Sequence, residues 1–543
     1  MRKVLILLTI FLSQKSLSQE KADLLVINAK VYTVNKDFSV AESFAIKDGY
    51  IVDVGNTKSL QKKYLSRQIV DVHNKYVFPG FIDAHAHFIQ YGLTLQEADL
   101  VGTKSWEEVL LKLKSFASTH TEGWLIGHGW DQNDWTEKTF PDNEMLSLLF
   151  PDRPVLLIRI DGHAVIINKK ALELSGIIPG TRVDGGEVEI KNGKLTGILI
   201  DNANRLVYSK LPGTSVETLK RAIIDAQENC FREGLTTIDD CGLNVHEILL
   251  IDSMQKKGEL KMRMYVMLAD RKPNYEFLFS TGKIKTDRLN VRAFKVYADG
   301  ALGSRGACLL QPYNDKPGWT GFLLNTVQHF DSIAVLLKNH GFQMCTHAIG
   351  DSGNRTMLNV YARHLHRKND LRWRIEHAQV INKNDFDLFG EYNIIPSVQP
   401  THATSDMYWA KDRLGQQRLS GAYAYKDLLK QNGWLPLGTD FPVEDISPIK
   451  TFYAAVVRKD ANEWPPNGYQ LQNALSRKEA LKGMTIWAAK SNFEENEKGS
   501  IEKGKFADFI IVDEDIMSIN EKDILRTKIL ATYVNGKKVF ERK

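Results

Sequence analysis

Residues 79–87 read Pro79-Gly80-Phe81-Ile82-Asp83-Ala84-His85-Ala86-His87, a short apolar run that stops on two histidines set two apart. On a strand, positions two apart project to the same side, so this pair can grip one ion. Working outward, the same grammar recurs. Apolar or β-rich runs end at Leu235–Asp239, Arg263–Met267, Val291–Tyr297, Phe342–His347, Trp373–His377, Ile394–Val398 and Trp434–Asp440, which with the first makes eight. Segments between them, such as Ser215–Gly234 and Ser476–Lys490, carry helical spacing and open with capping-box patterns, Thr214-x-x-Glu217 and Ser476-x-x-Glu479. Eight strand–helix units predict an α/β fold, a (β/α)8 TIM barrel over 79–491.

The flanks read differently. Residues 22–76 alternate like short strands, with a turn at Lys47-Asp48-Gly49. The C-terminal end repeats that style in Phe509–Val512, Ile529–Val534, the turn Asn535-Gly536 and Lys537–Phe540. Neither fragment is long enough for its own core, so residues 19–78 and 492–543 are expected to form one small β-sandwich domain from both chain ends. After the first barrel strand comes an insertion of about 101–233, far longer than a structureless loop. Its runs Trp124–Gly127, Val155–Ile160 and Glu187–Ile200 predict a folded subdomain over the C-terminal face of the barrel.

Residues 1–18 have the form of a secretory signal peptide: Met1-Arg2-Lys3, the apolar run Val4–Leu12, and Ser16-Leu17-Ser18 before the cut. The expectation is an exported protein, periplasmic or secreted. Nine apolar residues do not cross a bilayer, and no later stretch reads as a membrane span. Removal of Arg2, Lys3 and Lys15 leaves 68 of the 71 Lys and Arg against 66 acidic residues. That balance gives no reason to expect nucleic acid as a partner. The 543 residues are 43% hydrophobic and 25% charged, which excludes collagen-like and disordered classes. Cys230, Cys241, Cys308 and Cys345 lack metal or redox spacing and read as buried thiols.

Position gives the histidines their weight. Five of the eight runs end on residues able to bind a metal or move a proton: His85 and His87, Lys295, His347, Glu376-His377, and Asp440. Parallel barrel strands bring those ends to one mouth. A second His-x-His, His364-Leu365-His366, lies in a stretch that looks helical, Asn354–Lys368, where its rings diverge; it reads as solvated surface.

The segments Pro79–His87, Asp299-Gly-Ala-Leu-Gly-Ser-Arg305, His347-Ala-Ile-Gly-Asp351, Glu376-His377-Ala378 and Gly438-Thr-Asp440-Phe-Pro442 together resemble the amidohydrolase superfamily, specifically its amidohydrolase 3 group of YtcJ-like proteins and N-substituted formamide deformylases. The resemblance spans essentially the whole chain after residue 18. It implies a divalent metal, most often Zn2+, held by His85, His87, His347, His377 and Asp440. Lys295 stands where many members of the superfamily carry a CO2-derived carbamate bridging two ions; the alternative is a plain amine, so one ion or two stays open. A lysine desolvated among cations loses its proton and gains access to that chemistry.

On this reading a metal-activated water attacks a carbonyl carbon and Asp440 shuttles its proton to the leaving amine. The bland role for Asp440 is a helix N-cap after the eighth strand. His163, Arg305, His402 and Trp409 are candidate substrate-binding residues. His163 reads equally as a core or capping histidine, and Arg305 as a brace for Asp299. His128, between Trp124 and Trp130, reads as subdomain core. The expected reaction is hydrolysis of a non-peptide C–N bond, amide or formamide in type, in a small-molecule substrate. The rivals are a ring deaminase of the same superfamily and a catalytically silent ligand-binding barrel. A homodimer is compatible with all of these.

Overall fold

The computed structural model describes residues 19–543, so the signal-peptide reading lies outside the described residues. Its centre is a sheet of parallel strands in the order Ile395–Ser397, Arg374–His377, Gln343–Ala348, Leu289–Tyr297, Arg263–Ala269, Leu235–Leu243 and Phe81–Ala86. These are seven of the eight expected runs. The eighth, 434–440, forms no ladder and makes one isolated bridge, Val398 to Leu437. It nevertheless closes the ring. Gly438 donates to Val398 on one side (3.0 Å), while Ala84 N–H donates to Leu437 (3.2 Å) and Asp440 N–H to His85 (2.8 Å) on the other. The result is a nearly closed barrel of TIM type, its strands buried on both faces as parallel strands must be.

Helices fall where the spacing puts them, with three corrections. The helix Val216–Arg232 is capped by Ser215, whose hydroxyl accepts from Thr218 N–H, and not by Thr214. The single helix read over Ser476–Lys490 is two, Arg477–Gly483 and Ile486–Ser491, although its capping box between Ser476 and Glu479 is present as read. Likewise the helix read as Asn354–Lys368 runs Asp351–His364, and His364 pairs with Asp331 at 3.0 Å near the surface.

The insertion carries a six-stranded sheet in the order Gly186–Lys191, Lys194–Asp201, Ala164–Ile167, Val155–Arg159, Leu125–Trp130 and Ala98–Asp99. The run 187–200, read as one strand, is a hairpin turning at Asn192-Gly193. His128 is buried in this layer. The sheet ends over the barrel mouth: Asn202 Nδ2 donates to Leu324 O (3.1 Å), in the stretch after the fourth barrel strand.

At the opposite end lie two sheets made from the chain termini. One orders Tyr50–Gly55, Ser43–Lys47, Glu20–Ile27 and Tyr64–Asp71. The other orders Lys537–Glu541, Ile529–Val534, Phe509–Val512, Tyr76–Pro79, Lys30–Tyr32 and Val40–Ala41. A shared apolar cluster holding Val26, Phe44, Ile46, Val77, Phe509 and Tyr533 lies between residues of both. All four cysteines are free thiols, Cys308 half-buried and the others buried.

Candidate metal centre

His85, Lys295 and His347 project from within their strands, whereas His377 and Asp440 stand where the strand conformation ends. His377 and Asp440 sit at φ 72° and 68°, a left-handed conformation that a non-glycine residue rarely adopts and that surrounding structure must enforce. For Asp440 the enforcement is visible. Asp83 accepts from Thr439 N–H (2.9 Å) and Thr439 Oγ1 (2.6 Å), and also from His85 N–H (3.2 Å). One buried carboxylate thus ties the first strand to the closing segment. No helix follows Asp440; the next begins at Pro448 with Ser447 as its cap, so the N-cap role for Asp440 fails.

Ligand atoms of His85, His377 and Asp440 lie within 4.8 Å of one another, all buried. Asp440 Oδ1 is 3.3 Å from His87 Nε2 and 3.5 Å from His85 Nε2, and Oδ2 is 4.0 Å from His377 Nδ1. His347 stacks edge-on to His377 with ring centroids 4.6 Å apart. Three buried acceptor atoms here, His347 Nε2, His377 Nδ1 and Asp440 Oδ1, have no hydrogen-bond partner among the described residues. Orphaned buried acceptors are costly, and neutral imidazoles with a carboxylate make a donor set suited to a divalent cation of zinc's character.

Electrostatics favour that donor form. Burial and the Lys295 ammonium push His85 down to about 4. Burial and neighbouring groups hold His347 and His377 well below the usual imidazole range. Burial opposes the charge on Asp440, yet the surrounding imidazoles, His85 first, hold its carboxyl well below the ordinary value. His85 Nδ1 lies 2.6 Å from Glu376 Oε2, and Arg374 touches Glu376 Oε1 at 2.6 Å and Asp239 Oδ2 at 3.0 Å. This buried chain leaves Nε2 of His85 to face the centre.

Lys295 Nζ stands 3.0 Å from His85 Nε2 and 4.9 Å from the Tyr297 ring centre. Burial works against its ammonium, but Tyr297, Cys241, Glu376 and Asp440 more than offset it and raise its pKa. With this arrangement Lys295 donates to His85.

The other candidates separate. His402 joins the centre, its Nε2 at 3.1 Å from Asp440 Oδ2 and its Nδ1 at 3.3 Å from Glu444. His163 reaches in from the insertion, its ring 5.1 Å from that of His347. Arg305 pairs with Asp315 (2.9 Å) and does not brace Asp299, which the backbone N–H groups of Cys308, Ile349 and Gly350 hold instead. Trp409 is buried, lies beside Gly303 and has the Arg413 guanidinium over its ring. Reading the residues missed Arg374, Asp239, Glu444 and Asp201. Asp201, Glu444 and Asp239 act by pairing with His163, His402 and Arg374, far away along the chain, which no spacing signals, and Arg374 also meets Glu376 two positions on.

Residues 68–540 match the amidohydrolase family. The chain is 31% identical to the Arabidopsis thaliana protein LONG AFTER FAR-RED 3, covering 96% of this chain and 92% of that one. It is 30% identical to YtcJ of Bacillus subtilis (94% and 98%) and 25% identical to the N-substituted formamide deformylase of Arthrobacter pascens (96% and 98%). Among solved structures, an uncharacterized metal-dependent hydrolase from Pyrococcus horikoshii superposes with TM-score 0.75 at 28% identity, over 92% of this chain and 99% of that one.

Proposed function

The chain belongs to the amidohydrolase family, and from that premise we propose that it is a metal-dependent hydrolase of a non-peptide C–N bond, amide or formamide in type, in a small molecule. The observation that carries the reading is the set of orphaned acceptors on His347, His377 and Asp440, buried together where the strand ends meet. The residues that would hold the ion are His85, His87, His347, His377 and Asp440, with Lys295 beside them. When bound, a divalent ion such as zinc supplies Lewis acidity and a water acidic enough to attack at neutral pH.

The protein's own part is proton traffic and orientation. Asp440, kept ionised by the imidazoles around it, takes the proton of the attacking water as its oxygen joins the carbonyl carbon. The same carboxyl then returns the proton to the nitrogen as the C–N bond breaks. His402 accompanies Asp440 at Oδ2 and leaves Oδ1 turned toward the centre. The likeness to an N-substituted formamide deformylase over nearly the full length of both chains favours formamides among the candidate substrates. In the same reading the terminal sheets form one β-sandwich and the chain is exported.

The test combines metal analysis with a screen of N-formyl and N-acyl amines. The loaded enzyme is expected to release the free amine, and Asp440→Asn to lower turnover by at least about 10²-fold with the fold retained by circular dichroism. Near-normal rates in Asp440→Asn remove its role. Failure to cleave any amide, or release of ammonia from ring amines instead, removes the C–N reading.

A further inference from the structure

The helix after the first barrel strand, Phe88–Thr94, takes its cap from another strand. Its N-cap is His87, whose side chain makes no cap hydrogen bond to the helix. That ring serves the centre instead, with Nε2 3.3 Å from Asp440 Oδ1. The first N–H groups of a helix have no partner within it, and an N-cap side chain ordinarily accepts from one of them. Here Asp240 supplies the acceptor. Its Oδ2 accepts from Ile89 N–H at 3.2 Å, and Phe88 N–H stabilises the same carboxylate.

By its surroundings Asp240 should be apolar. It lies in the strand Leu235–Leu243 beside Ala86, the residue before His87. Its neighbour Asp239 faces the other side of the strand, where it meets Arg374 in the buried chain that ends on His85. Asp240 shares its face with Ile238, which belongs to one apolar cluster with Phe88 and Ile89. A carboxylate only 1% exposed in such a layer is costly unless it is hydrogen-bonded. Burial pushes it up to about 8, yet charged or neutral, one oxygen still accepts from the helix. The rest of the junction is tied down too: His87 N–H donates to Phe441 O (2.9 Å) and His87 O accepts from Tyr91 N–H (2.8 Å).

We propose that Asp240 is the positioning residue for His87: by accepting from the N–H groups that an N-cap side chain would serve, it frees the His87 imidazole for the metal centre and fixes the backbone that aims it. Two consecutive acids of one strand then serve the two histidines of Pro79–His87. Asp239 acts through Arg374 and Glu376 on His85, and Asp240 acts through Phe88 and Ile89 on His87. The inference rests on the metal-centre reading and deepens it.

The test reads zinc affinity by chelator competition. Asp240→Ala is expected to weaken binding about 10–100-fold, as loss of a partner behind a metal ligand does. Asp240→Asn keeps an acceptor oxygen and should stay close to the wild type. In a His87→Ala background Asp240→Ala should cause no further loss, because its effect runs through that imidazole. Unchanged affinity in Asp240→Ala, or losses that simply add in the double variant, overturn the proposal. A second cycle needs neither metal nor turnover. His87→Ser places at the N-cap a hydroxyl that can cap the helix itself. Asp240→Ala should then shift the urea midpoint less in the His87→Ser background than in the wild type. A single variant that fails to fold while the double variant folds gives the same answer; equal shifts in both backgrounds overturn the proposal. A wild type that binds no divalent ion strikes the metal reading instead, and the urea cycle then decides the Asp240 assignment on its own.

Discussion

Glu376 fills no expected catalytic role, yet it decides which nitrogen His85 offers. Its carboxylate accepts a hydrogen bond from Nδ1–H of His85 at 2.6 Å while Arg374 keeps it ionised, well below its ordinary range. Glu376→Gln keeps the shape and removes the charge, so His85 loses its firm tautomer and some basicity. Metal affinity should fall about 10–100-fold by chelator competition, with the far-ultraviolet spectrum unchanged. A second single-residue prediction concerns pH. Glu97 has a buried carboxyl oxygen without a partner among the described residues, and burial pushes its pKa up to about 7 from 4.5. The folded state therefore keeps a proton that the unfolded chain releases between those values. Stability contributed by the neutral form is complete below about 4.5 and is lost as pH rises through about 7. Glu97→Gln should match the wild type at low pH and exceed it above pH 7, by at most about 3 kcal/mol. Denaturation midpoints measured across that range check both the sign and the window.

At the scale of elements, the strands were legible and their closure was not. Buried parallel strands announce themselves as apolar runs that stop on a polar residue, which is why His85, His347 and His377 stood out. The segment 434–440 has the same composition, but it completes the barrel with a few alternating hydrogen bonds rather than a ladder, a tertiary fact. The hairpin 186–201 carries its own signal, since Asn192-Gly193 is a turn dipeptide inside what reads as a single run. Pairings such as Asp201 with His163 or Glu376 with His85 join residues 38 and 291 apart, and periodicity carries no information at that range. The helix Val216–Arg232 gives a direct test of how caps are read. Thr214 and Ser215 both suit the role, but the structure gives it to Ser215. Ser215→Ala should cost about 1 kcal/mol and Thr214→Ala less than about 0.5 kcal/mol in urea denaturation. The reverse order would restore the capping box with Glu217.

For the whole molecule, the question is why a catalytic barrel carries sheets made from its own two ends. They lie on the face away from the metal centre, and the joint is ionic and buried. Arg263, at the start of the third barrel strand, meets Asp508 through Nε (2.5 Å) and a terminal nitrogen (3.0 Å), and reaches Asn535 in the C-terminal turn (2.6 Å). The Phe506 ring covers its guanidinium at 3.8 Å, and the same carboxylate accepts from Asn535 N–H (2.8 Å). Removing only the anion leaves a desolvated guanidinium behind, so Asp508→Ala should destabilise the chain by about 3–5 kcal/mol. Replacing both partners by apolar groups removes that penalty along with the attraction. The double variant Arg263→Met, Asp508→Ala should therefore recover much of the loss, whereas two independent contacts would give a double variant worse than either single one. Because the joint touches none of the residues at the barrel mouth, metal affinity measured well below the melting temperature should be unchanged in all three variants. A fall in metal affinity that tracks the loss of stability would mean that the terminal sheets shape the centre from below, rather than only hold the barrel that presents it.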